Sequence, residues 1–294
     1  METIVMGRGE FYDVRLGKPF PVNDLRSEWY DWFLKKVDEY KPSQGSVTLW
    51  ALGGSGFILR TKKSTIYIDP YLGGSVISDG TAFLTHRMIP IPFNASDVRK
   101  IDAVAITHED IDHMNEDFIF PVSRNTECSF VGPSSVADLL KSWGTPENRI
   151  VSLSENEETR IGDVRVIALD SNDPNPKTAN TYIFDTGKIR VFHAGDSFFL
   201  DKFAGIGRKY DIDIAAISVG VNPPGAKWYN NPGDAVQIAR DLNAKVLIPM
   251  HWDLWDVCLE DPYLVEQEAR NRRTNVKVVV LRVGERFDYP SKRD

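Results

Sequence analysis

Residues 101–114 constrain this chain more than any other stretch. An apolar, strand-type run, Ile101-Asp-Ala-Val-Ala-Ile-Thr107, hands over directly to His108-Glu-Asp110-Ile-Asp112-His113-Met114. Two imidazoles and two well-spaced carboxylates therefore arrive together at the C-terminal end of one strand. Open α/β sheets bind and react at that edge, where loops carry the chemistry and strands carry the rigidity. On an extended segment, residues two apart face the same side, so His108 and Asp110 can share one pocket. Asp112 and His113 then fall in the turn that follows.

The rest of the chain supplies more strands of this kind. Val47–Leu52, Phe57–Arg60 and Thr65–Asp69 read as successive antiparallel strands, and Gly53-Gly-Ser-Gly56 reads as a turn because no Gly-Lys-Ser/Thr ending follows it. Asp69 ends its strand ahead of Pro70, well placed to orient a ligand from behind. Residues 72–98 read as a long loop of the lid type, with His86 an ordinary packing histidine. A helix is expected over 134–143, closed by Gly144. Strands at 149–153 and 163–169 lead to Asp170. A hairpin over 182–192 runs into His193 and Asp196. A buried run over 212–219, a helix near 232–242, a strand over 245–250 delivering His251, and a last strand over 276–283 complete the order.

That order is consistent with an α/β chain of two facing sheets with helices outermost, a four-layer αββα sandwich. Residues 1–45 are set apart in composition as an N-terminal extension with one helix, its stripe Leu25, Trp29, Phe33 and Val37 packing on the main domain or on another subunit. Residues 46–294 form the main domain. Composition narrows the class. With 42% hydrophobic and 26% charged residues the chain can bury a sizeable core. A net charge of -7 without basic runs argues against a nucleic-acid binder. Cys128 and Cys258 match no CxxC spacing and read as reduced thiols. Neither a leader pattern nor an apolar run of roughly 20 residues is seen, so a cytoplasmic protein without membrane contact is expected.

Four of the five histidines fall in three strand-end segments, 108–113, 193–196 and 251. Such a concentration points to a metal site, with His193, whose side chain should face away from Asp196, in a supporting role beside Asp69. Thr107-His-x-Asp-x-Asp-His113 resembles the Thr-His-x-His-x-Asp-His signature of the metallo-β-lactamase superfamily. Leu52-Gly-x-x-Gly56, Phe130-x-Gly-Pro133, Ala168-Leu-Asp170, His193-x-Gly-Asp-Ser197 and Ile248-Pro-x-His251 are similar to its L-ascorbate-6-phosphate lactonase-like branch. The second signature histidine is Asp110 here.

The resemblance implies a metal-dependent hydrolase with one or two divalent ions. His108, Asp110 and Asp170 would form one site, Asp112, His113 and His251 the other, with Asp196 bridging. Asp112 and Asp196 would orient the hydroxide generated between the metals. A first site with one imidazole and several carboxylates favours Mn²⁺ or Fe²⁺, with Zn²⁺ the alternative. The implied substrate is a small anionic metabolite, such as a sugar-phosphate lactone, met by Lys227 and Arg208. The alternatives are a metal-dependent phosphodiesterase or nuclease, or a non-catalytic descendant with a decayed site. A homo-oligomer is compatible with the aromatic N-terminal helix.

Overall fold

The computed structural model describes residues 10–13, 18–21, 30–77, 84–173, 176–222, 225 and 227–290. Two seven-stranded mixed sheets carry the fold. In the first, the strands lie in the order Ile150–Ser152, Ser129–Gly132, Ala103–Ala105, Thr65–Ile68, Gly56–Arg60, Val47–Gly53 and Arg286–Tyr289. In the second, the order is Glu158–Ile161, Val164–Leu169, Thr181–Asp185, Arg190–His193, Ile214–Ser218, Val246–Met250 and Lys277–Val278.

Alternation explains why the strands read as continuous apolar runs. In the strand Val47–Gly53, Val47, Leu49 and Ala51 join the core between the sheets, while Trp50 and Leu52 join a second core beneath the outer helices. Ala103 and Ala105 face inward, and Val104 and Ile106 outward, in the same way. Period 2 is present, but both faces are dry, so no polar residue marks it. The helices Tyr30–Glu39, Glu116–Asn125 and Ser134–Ser142 cover the first sheet with Phe33, Phe118, Val136 and their neighbours. Phe203–Tyr210, Pro232–Asp241 and Tyr263–Asn271 cover the second with Phe203, Ile238 and Val265. The four layers are thus helix, sheet, sheet, helix, the arrangement that the alternation of elements predicts.

Several expectations shift. Phe33 of the first helix packs edge-on to Trp50 at 5.7 Å and stacks on Phe93 at 5.8 Å. The Arg60 guanidinium donates to the carbonyls of Val37 and Tyr40. This helix is therefore seated in the outer layer of the first sheet; Leu25 and Trp29 of its expected stripe lie outside the described residues. The helix Glu116–Asn125 escapes a sequence reading because Pro121 sits inside it. It forms because Asn115 caps it and Phe118, Ile119 and Val122 are buried. The expected strand over 276–283 is reduced to Lys277–Val278. The chain then crosses to the first sheet, where Arg286–Tyr289 pairs antiparallel with Val47–Trp50. Asp288 fixes this return by accepting hydrogen bonds from Tyr40 and Thr48, both at 2.7 Å. In the 72–98 region, Val76–Ile77 pairs with Leu84–Thr85, and residues 78–83 lie outside the described residues. Among the described residues no helix is long and apolar enough to cross a membrane.

The strands Thr65–Ile68 and Ala103–Ala105 run parallel, as do Arg190–His193, Ile214–Ser218 and Val246–Met250. Parallel strands end at a common edge, which gathers Asp69, His108, Asp196 and His251. At the opposite end the sheets are clasped by Asp163, whose Oδ1 accepts from Thr61 Oγ1 at 2.6 Å and Ser64 Oγ at 2.7 Å. Gly162 makes this clasp feasible. Its φ is +56°, and a Cβ there would lie 2.2 Å from Ser64 Oγ. A Gly162→Ala variant is expected to lose about 1–3 kcal/mol of stability. Its denaturant midpoint should fall with the slope unchanged, and an unaltered midpoint would contradict the clasp.

Candidate metal centre

Asp69 organises the site from behind. Its side chain is fully buried, and its carboxylate accepts hydrogen bonds from Thr107 N at 2.8 Å, Thr107 Oγ1 at 2.6 Å and His113 Nδ1 at 2.9 Å. Burial opposes ionisation, but His113 beside it holds the carboxyl below its ordinary range, with help from His193 and His108. Because Thr107 Oγ1 donates to Asp69, it is left to accept from His108 Nδ1, 3.0 Å away. Both imidazoles therefore commit Nδ1 to this network and turn Nε2 forward, the nitrogen left to a metal.

Two further loops meet these rings. Asp196 Oδ2 lies 3.4 Å from His113 Nε2 and 3.7 Å from His251 Nε2. Asp112 Oδ2 lies 3.1 Å from His251 Nε2 and accepts the indole N–H of Trp255 at 2.8 Å. Backbone geometry holds these loops. His251 adopts a φ of 66°, and its N–H donates to Gly54 O at 2.9 Å, while Gly54 N–H donates to Asp253 at 3.0 Å. The Gly53-Gly54 turn thus serves as a clamp on the His251 loop. Gly195 has φ +54°, and a Cβ there would sit 2.9 Å from Thr107, the residue that orients the imidazoles.

Two groups have ligand atoms within 4.8 Å of one another: His108, His113 and Asp196, and Asp112, His113 and His251. His108 Nε2, His113 Nε2 and Asp196 Oδ1 are buried without a hydrogen-bond partner among the described residues. Unpaired buried polar atoms are costly, and here they point into one space. The electrostatics agree. Despite burial, the His251 hydrogen bond and the nearby His113 hold the Asp112 carboxyl far below its usual range. Burial also opposes ionisation of Asp196, yet His251 and His113 pull it down to about 2. His113 and His251 are raised well above an ordinary imidazole, against the cost of burial, by Asp196 together with Asp69 and Asp112 respectively. Such a pocket concentrates negative charge that a divalent cation would neutralise. The donor set fits a metal.

The sequence-predicted residues divide as follows. His108, Asp112, His113, Asp196 and His251 come together. Asp110 stands at the rim, 3.7 Å from His108 Nε2. Burial pushes its carboxyl up to about 6, with Asp112 and Asp196 adding to the rise and His113 opposing it. Asp170 is not brought to the centre. Its carboxylate meets Lys202 Nζ at 2.5 Å near the surface, because the chain turns outward where its strand ends. Asp173, three residues later, instead places Oδ2 3.8 Å from His108 Nε2 with a side chain only 3% exposed. Its place in a Pro-containing polar loop gave no sign of which aspartate would return. Burial and the neighbouring His113 push His108 down to about 4, the direction that keeps Nε2 bare.

His193 uses both nitrogens within the protein. Nε2 donates to Ser55 O at 2.8 Å, and Nδ1 accepts from Gly195 N–H at 3.2 Å. It thus joins the Gly53–Gly56 turn to the Asp196 loop. Arg208 lies exposed in the last turn of the outer helix Phe203–Tyr210, and Lys227 Nζ lies 5.0 Å over the Phe198 ring. His86, read as an ordinary packing histidine, pairs with Asp256 at 2.7 Å. Sequence reasoning missed Thr107, Trp255, Tyr229, whose ring lies 4.8 Å from that of His251, and Glu109. The Glu109 carboxylate accepts from Ser135 Oγ at 2.5 Å and Lys177 N at 2.9 Å, which anchors the segment between His108 and Asp110. The adjacent Thr-His pair was the available signal for Thr107; the others are set by loop paths.

Comparison with known proteins agrees with this geometry. Residues 64–252, more than half the chain, match the model of a beta-lactamase superfamily domain. A probable L-ascorbate-6-phosphate lactonase of Salmonella paratyphi B is 26% identical over 310 residues, covering 91% of this chain and 88% of that protein. A metallo hydrolase from the hyperthermophilic archaeon Ignicoccus hospitalis aligns with a TM-score of 0.65 at 19% identity, over 84% of this chain and 100% of its own. A metallo-β-lactamase fold protein from Bacillus subtilis aligns with a TM-score of 0.59 at 15% identity, over 83% of this chain and 99% of its own. With the family model, the two facing sheets and the strand-end histidines and aspartates in agreement, this chain belongs to the metallo-β-lactamase superfamily.

Proposed function

We propose that this protein is a metal-dependent hydrolase whose first substrate class is the lactones. The observation that carries the hydrolase reading is the convergence of His108 Nε2, His113 Nε2 and Asp196 Oδ1, buried without a hydrogen-bond partner among the described residues, with His251 and Asp112 at one sheet edge. The lactone refinement draws support from the 26% identity to the probable lactonase, extending over most of both chains.

His113, His251 and Asp112 would hold one divalent ion. His108, Asp196 and the carboxylates of Asp110 and Asp173 would hold the other. Around His108 the donors are mostly hard oxygens, which favours Mn²⁺ or Fe²⁺ over Zn²⁺. A bound divalent cation supplies Lewis acidity, acidifying water and polarising the bond under attack. The chain's own contribution is positional. Asp69 and Thr107 fix the imidazole orientations, Trp255 fixes the Asp112 carboxylate from behind, and Asp112 and Asp196 flank the space where water would attack. Arg208, expected to meet an anionic group, sits on an outer helix. A phosphodiesterase or nuclease is disfavoured by the net charge of -7, which would repel a polyanion.

Two measurements test this reading. Protein purified without added metal, then titrated with Mn²⁺ by calorimetry, should lose at least about tenfold in affinity on Asp173→Asn. Asp170→Asn should leave affinity within about twofold, since that carboxylate faces Lys202 at the surface. The reverse order would return the ligand role to Asp170. In a screen of Mn²⁺-loaded protein across lactones, phosphodiesters and phosphomonoesters, turnover of a lactone is expected. It should be abolished by chelator and reduced at least about a hundredfold by Asp112→Ala. If Asp112→Ala changes neither metal content nor turnover, the centre is not the seat of hydrolysis, and a non-catalytic descendant becomes the better description.

A further inference from the structure

The loops that carry the metal centre also carry large apolar side chains turned to solvent. Ile111, between Asp110 and Asp112, is 52% exposed, and Phe199, three residues after Asp196, is 37% exposed. Trp228, next to the Tyr229 that faces His251, is 42% exposed, while Val221 and Val257 are 47% and 46% exposed. These are not on frayed segments. Asn222 accepts from the N–H groups of Trp228 and Tyr229 at 2.6 and 2.9 Å and donates to Tyr229 O at 2.9 Å. Val221 N–H donates to Cys258 O at 3.1 Å, and Asn172 Nδ2 donates to Phe199 O at 3.0 Å, beside Asp173. Asn230 Nδ2 donates to Ser197 O at 3.0 Å and Trp255 Nε1 to Asp112 Oδ2 at 2.8 Å, so the four loops bearing these residues are tied to one another. Exposed apolar side chains held on the same loops that carry the metal-site residues mark a binding surface, and that shared origin makes the substrate the occupant.

A second observation bears on what that substrate carries. Asp110, Asp112, Asp173 and Asp196 crowd the centre, while Lys202 is paired with Asp170 and Glu155 and Lys227 lies over the Phe198 ring. A phosphate group outside the metal positions would meet carboxylates first. We propose, resting on the hydrolase reading above, that the substrate is a lactone or ester with an apolar body, an alkyl chain or an aromatic ring, which the rim of Ile111, Phe199, Trp228, Val221 and Val257 binds. Hydrolysis would break the ring C–O bond by addition of water, releasing a hydroxy acid whose apolar part leaves along the same rim.

The experiment is a series of γ-alkyl lactones of increasing chain length, assayed with the Mn²⁺-loaded full chain beside a phosphorylated lactone. The expected result is a rise in kcat/KM of about threefold per methylene over the first several carbons. The rise should flatten in Trp228→Ser and Ile111→Ser proteins shown to be folded by circular dichroism. Rates independent of chain length, or preference for the phosphorylated lactone, would overturn the proposal. If no lactone turns over, the lactone reading above fails. The rim is then judged by binding of the same lactones, followed by tryptophan fluorescence of the unsubstituted protein. Affinity that climbs with chain length upholds an apolar-binding rim, and affinity that stays flat removes it.

Discussion

The site rests on the Asp69 carboxylate. It is fully buried, and it is kept ionised by three hydrogen bonds and by neighbouring imidazoles. One oxygen fixes the Thr107 backbone, and the other fixes the Thr107 hydroxyl and the His113 ring. Through Thr107 the same carboxylate sets His108. A single group therefore decides the direction of two ligands on one loop. Its φ of 41° records a strained backbone at the strand end. Such strain persists only where surrounding structure over-determines it, and here the Asp69 N–H to Ala105 O bond and the Thr107 contacts do so.

The fold explains how ligands so far apart in sequence share one space. Parallel strands end at a common edge, and the two sheets face one another, so loops from both converge. Glycines make the convergence sterically feasible. The Gly53-Gly54 turn of the first sheet reaches His251 of the second, and Gly195 of the second presses on Thr107 of the first. His193 ties Ser55 O to Gly195 N–H across the same junction. The inter-sheet seam is held by polar contacts at the metal end and by Asp163 at the other, with an apolar core between them.

Much of this was legible in the sequence because its signals were local. The strand before His108 is apolar and short, and His108 to His113 follow it immediately. The hairpin before Asp196 has a Thr-Gly turn. The helix after Asn231 carries a cap and Pro at its first position. Less was legible where a segment's role depends on distant partners. Arg286–Tyr289 has too few residues to announce a strand, and it becomes one by pairing with Val47–Trp50. The helix through Pro121 exists because its apolar face is buried. The outward turn of Asp170 and the return of Asp173 follow from a loop path, which no periodicity encodes.

The sequence alone determined the class of architecture, the superfamily signature and five of the residues at the centre, because strand alternation and strand-end His and Asp residues are properties of short stretches. Tertiary structure decided which aspartate approaches His108 and which nitrogen each imidazole presents. It also decided that Lys202 occupies Asp170 and that Trp255, on a remote loop, holds Asp112. These depend on distances between segments remote in the chain, and only packing two sheets face to face sets those distances.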